Sequence, residues 1–133
     1  MADETDAPDE RLVELAHQMF DLARAGERDQ LSAYVEAGVP VDLTDAAGNT
    51  LVMLAAYHGH ADTVQMLARA GADVDRVNDR GQTPLAGAVF KDEADVVDVL
   101  LKAGADPDAG APTARETAAM FGRPGLFDQR HGD

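Results

Sequence analysis

The sequence predicts an all-α solenoid of about four stacked helix-turn-helix units, joined by tight hairpin-like loops and capped by its terminal units. Three observations carry this. Gly38, Gly71 and Gly104 recur at a period of 33 residues, as do Gly48 with Gly81 and Gly26 with Gly59. The text around them repeats: VEAGVPVD, then ARAGADVD, then LKAGADPD. Aromatics make up only 5% of the chain and Trp is absent, so the core must come from Ala, Leu and Val in closely packed helices. A period in this range marks modules that each bury one apolar face against the next.

The 82–104 segment is the clearest unit. Thr83 suits a helix N-cap and Pro84 the first helical position, which predicts a helix TPLAGAVF ending near Phe90. Lys91 and Asp92 turn the chain. A second helix over 93–103 places Val96, Val97, Val99, Leu100 and Leu101 mainly on one side. Gly104 stands where a helix ends in a left-handed residue. The preceding unit predicts helices over 50–57 and 61–70, then Gly71 and the loop GADVDRVNDRG. At the N-terminal end, residues 10–25 read as a longer amphipathic helix with Leu12, Leu15, Met19, Leu22 and Ala23 toward the stack, paired with 30–37. The last unit starts at Thr113, after a loop three residues shorter than the one before Thr83. The expected domain spans 10–127, with units near 10–44, 45–77, 78–110 and 111–127. Residues 1–9 are expected to form a disordered acidic tail and 128–133 a flexible one.

The segments GNTLVMLAAYHGHADTVQMLARAGADVD and GQTPLAGAVFKDEADVVDVLLKAGADPD resemble ankyrin repeats in period and in the T-P-L-H-x-A signature. The resemblance extends over about residues 10–127. It departs from the pattern where the signature His should stand: Met53 and Ala86 occupy those places, so the bonds that His makes between turns are lost. His60 matches the family's Gly-His turn after Gly59, and Asp92-Glu93 replaces that pair in the next unit. Arg115 and Glu116 stand where inner repeats carry Leu and His, as suits a wet outer end.

Charge and motif content narrow the function. The 25 acidic and 11 basic residues leave a net charge of -14, which disfavours nucleic acid and anionic lipid and favours a protein partner with basic patches. Cysteine is absent, and no apolar run approaches the roughly 20 residues of a membrane span. The acidic start MADETDAPDE is unlike a signal peptide, so a cytoplasmic protein is expected. Ile is absent and Arg outnumbers Lys, which points to a GC-rich bacterial genome. His58 and His60 are two apart and do not share a helical face. Asp73, Asp75 and Asp79 lack the Gly and Glu of a calcium loop, since Asn78 and Pro84 stand in those places. No nucleophile elbow, P-loop or dinucleotide fingerprint occurs. No enzyme, cofactor or metal is expected.

The resemblance implies binding through loop tips and first helices, whose equivalent residues line a concave groove. One column reads Arg24, Tyr57, Phe90 and Met120; its neighbour reads Ala25, His58, Lys91 and Phe121. Loop tips add Asp79 and Arg80. Tyr57 and Phe90 fall at one repeat position although the chain has only six Tyr and Phe in all, and half-exposed aromatics in a concavity are typical anchors. The expected protein-binding residues are therefore Arg24, Tyr57, His58, Asp79, Arg80, Phe90, Lys91, Met120 and Phe121, on a monomeric interaction module that could serve an enzyme as accessory or regulator. The alternatives are a small-ligand binder or enzyme using the groove as a pocket, and an acidic decoy for a basic site.

Overall fold

The computed structural model describes residues 10–128, so the expected 1–9 tail and residues 129–133 lie outside the described residues. The chain runs through α1 (Glu10–Ala25), α2 (Arg28–Glu36), α3 (Leu51–Tyr57), α4 (Ala61–Arg69), α5 (Pro84–Phe90), α6 (Ala94–Lys102) and α7 (Ala114–Met120). First helices α1, α3, α5 and α7 pack in sequence as one layer, and second helices α2, α4 and α6 pack as the other. Short bridges pair Thr44 with Thr50 and Gly110 with Thr113 at the bases of two connecting loops. The predicted helical solenoid is the observed architecture.

Local chemistry starts each first helix of the later units. Thr50 Oγ1 accepts from the Met53 amide and Thr83 Oγ1 from the Ala86 amide, both at 3.1 Å. Thr113 and Glu116 form a reciprocal capping box: Glu116 N donates to Thr113 Oγ1 at 2.9 Å and Thr113 N to Glu116 Oε1 at 2.8 Å. Glu116 thus replaces the signature residue for a local reason, and Arg115 beside it reaches Asp108 and Asp128 at 2.8 and 2.6 Å.

The two layers bury different patterns. Inner first helices are apolar all round, with Leu51 to Ala56 and Pro84 to Val89 all buried, because each is flanked by first helices on two sides and by its own second helix. Second helices are amphipathic, and the register is 33: Leu31, Val64 and Val97 are buried equivalents, as are Leu67 and Leu100. Each fully buried Leu contributes on the order of 2 kcal/mol. At their C-termini, Gly38, Gly71 and Gly104 take φ of 109°, 98° and 95°, which lets Val39, Ala72 and Ala105 bond back to Tyr34, Leu67 and Leu100 carbonyls at 3.0–3.1 Å.

The ends depart from expectation. Leu12 does not face the stack: it is 64% exposed, whereas Phe20, absent from the expected stripe, is 4% exposed. Helix α1 has a first-helix neighbour on one side only, so its opening turns overhang and the buried stripe shifts to Met19, Phe20 and Ala23. The fourth unit keeps only its first helix among the described residues. Gly122, Pro124 and Gly125 interrupt helix formation, and turns bring Leu126 and the buried Phe127 against the core instead.

Candidate functional site

The inner face of the first-helix layer carries two adjoining hollows that share Ala47. One is a space of about 410 Å³, lined by Met53, Leu54, Tyr57 and Phe90 from α3 and α5 and by Ala47, Asn49, Asn78, Asp79, Arg80 and Gln82 from the loops. The other lies one unit toward the N-terminus, lined by Phe20, Asp21 and Arg24 from α1 and by Asp45 to Ala47. Together they form a trough along the stack.

The loop walls are tied together, despite the loss of the signature His at Met53 and Ala86. Asp45 Oδ1 accepts from Ala47 and Asn49 amides, both at 2.9 Å. Asn78 Oδ1, its equivalent one repeat on, accepts from Arg80 and Gln82 amides at 2.9 and 3.1 Å. Asn78 Nδ2 donates across units to Asn49 Oδ1 at 2.9 Å, and the Asp79 amide to Ala47 O at 3.0 Å. Sequence reasoning did not single out Asn78, nor Met53 as a trough residue. Their signal was the register itself: Asn78 matches Asp45, and Met53 holds the signature position. Asp73 and Asp75 serve backbone amides, Asp73 Oδ1 accepting from Asp75 N at 3.0 Å and Asp75 Oδ1 from Asp106 N at 2.8 Å.

Most of the expected site residues come together. Tyr57, Phe90, Asp79 and Arg80 line one hollow, and Arg24 lines the other. His58 meets the Tyr57 ring edge-on at 5.7 Å, and the Lys91 ammonium sits 5.0 Å from the Tyr57 centroid, a cation–π arrangement. Phe121 packs edge-on against Phe90 at 5.5 Å. Met120, next along α7, is 67% exposed and lines neither hollow. Gly87 leaves room for the Met53 tip: a Cβ there would lie a tight 3.1 Å from Met53 Cε, and at ordinary contact distance, 3.6 Å, from Tyr57 Cδ1.

The turns behind this face lock each unit to the one before. His60 Nε2 donates to Arg24 O at 2.7 Å with its ring against Gly26, which commits His60 to an otherwise orphaned helix-end carbonyl. Glu93, the His60 equivalent, places its carboxylate beside Gly59, where it cannot donate to a carbonyl as His60 does. Asp92, the sole non-Gly residue with positive φ among the described residues, pairs with Arg123 at 2.9 Å. Partial burial pushes the His58 imidazole below its ordinary range, helped by the neighbouring charges of His60, Arg24 and Lys91. No three His, Asp or Glu side chains converge as a metal cluster among the described residues.

A stack of paired helices with loop tips and first helices walling an inner trough defines a helical-repeat protein. The sequence model for ankyrin repeats matches residues 19–111 as three copies. The chain belongs to the ankyrin repeat family. It is also similar to an ankyrin repeat protein of Pseudomonas aeruginosa, 46% identical over 63 residues, which cover 44% of this chain and 37% of the relative. The matched stretch thus spans little more than a third of that relative's length. Ankyrin repeats are generally modules of protein–protein interaction and typically not enzymes. No helix among the described residues is long and apolar enough to cross a membrane.

Proposed function

We propose that this chain is a non-catalytic interaction module that holds a protein partner in the trough, as accessory or regulator of an enzyme. One observation carries the reading: Tyr57, Phe90 and Phe121, at corresponding or adjacent repeat positions, gather on the trough side, and Phe90 and Phe121 remain 49% and 51% exposed. Large rings left half in water cost hydrophobic free energy that a partner can recover. Among the polar groups of the hollow, Asn49, Asn78 and Gln82 bond to one another, which leaves Asp79 and Arg80 to face a partner. The reading takes the chain as a cytoplasmic monomer whose excess of carboxylates steers basic surfaces toward it at long range.

The test is affinity capture from the native host with the Tyr57→Ala/Phe90→Ala double variant as control. The partner should be retained by the parent and lost by the variant, each single change weakening binding by more than about 1 kcal/mol. Equal retention by a folded double variant would remove the trough from the function.

A further inference from the structure

Along the trough stand exposed cationic side chains, although the molecule as a whole is strongly acidic. The Lys91 ammonium lies over Tyr57 with no carboxylate at ion-pair distance among the described residues, and the Arg80 guanidinium has none either. Arg24 keeps 41% of its side chain exposed although it meets Asp21 at 2.9 Å and Asp45 at 3.7 Å. Of the nearby carboxylates, Asp92 pairs with Arg123 and Asp45 accepts from two loop amides, while Glu93 lies beside the Gly59 turn and Asp79 lines the hollow next to Arg80. The exposed His58 ring is held toward its neutral form by partial desolvation and by the nearby His60, Arg24 and Lys91. Three of the six exposed large hydrophobic residues among those described, Phe90, Met120 and Phe121, stand beside these groups.

We infer that the trough seats an acidic segment of its partner, in which carboxylates flank one or two large apolar side chains. The apolar groups settle between Tyr57, Phe90 and Phe121, and the carboxylates reach Lys91, Arg80 and the open side of Arg24. Desolvating Lys91 between a ring face and an incoming carboxylate strengthens both contacts, because each is screened less as water leaves. The net charge of -14 acts from a distance and selects basic encounter partners; the cationic side chains act at contact, where only neighbouring groups count. The inference rests on the trough being the binding surface.

Long-range and local charge give opposite expectations, which makes the experiment decisive. A random peptide library displayed on phage is panned against the full chain at about 150 mM salt, where charges beyond roughly 8 Å are screened. Enriched peptides should carry net negative charge around Phe, Leu or Trp. A peptide synthesised from the strongest clone should bind the Lys91→Glu variant about tenfold more weakly or worse by fluorescence anisotropy. Net basic or uncharged winners, no enrichment, or unchanged affinity for Lys91→Glu would each overturn the inference. Lys91 is exposed, so the variant keeps its core. Acidic winners that bind the Tyr57→Ala/Phe90→Ala variant as well as the parent would instead defeat the trough reading on which the inference stands.

Discussion

Replacing Thr63 with valine should raise the stability of the stack by about 1 kcal/mol. Thr63 lies in α4, is 1% exposed, and its Oγ1 has no hydrogen-bond partner among the described residues. The folded state therefore carries a hydroxyl that has left water without compensation, a penalty of about 1–3 kcal/mol. Thr63→Val removes the hydroxyl, keeps the branched shape and leaves helix propensity nearly unchanged. The next unit holds the same experiment in place: Val96 occupies the equivalent position and is 0% exposed. The lower end of the range is expected, since the slightly larger methyl that replaces the hydroxyl must fit a packed site. Urea unfolding followed by helix circular dichroism reads the result, with a midpoint shift of about 0.5 M if the slope is about 2 kcal/mol per M. An unchanged or lowered midpoint at constant slope would show that the hydroxyl is satisfied, and the burial argument for this position would fail.

Two further outcomes test the loops and the charges. Gly104→Ala should cost about 1–2 kcal/mol from its left-handed φ alone, because nothing lies within 4 Å of the added carbon. Gly81→Ala should cost more, because its Cβ would meet the Ala111 carbonyl oxygen at 2.9 Å and backbone cannot yield as a side-chain tip can; equal losses in denaturant titrations would refute the loop packing. By NMR titration, His58 should protonate below the ordinary histidine value of 6.5, and Lys91→Glu should move it upward; no movement would separate Lys91 from that ring. Because the unfolded chain binds this proton more readily than the fold, the contribution of His58 to stability is complete above 6.5 and declines as pH falls through the folded value.

What the sequence determined by itself was everything governed by near neighbours and by period. Thr50, Thr83 and Thr113 start helices because each hydroxyl reaches an amide three residues on; Gly38, Gly71 and Gly104 end them because φ there is positive. The 33-residue register placed Tyr57 with Phe90 and His58 with Lys91 before any distance was known. Tertiary structure decided what depends on a partner from another unit. The ordering of Leu12 and Phe20 turned on which side of α1 has a neighbour, which a helical period repeated on two faces leaves open. The bond from His60 to the Arg24 carbonyl, the placing of Glu93 beside Gly59, the orphaned Thr63 hydroxyl and the seat of Lys91 over Tyr57 arise between residues up to 36 positions apart. Period tells which residues correspond, but the energy of a contact depends on the atoms that meet, and those are chosen by how one unit leans on the next.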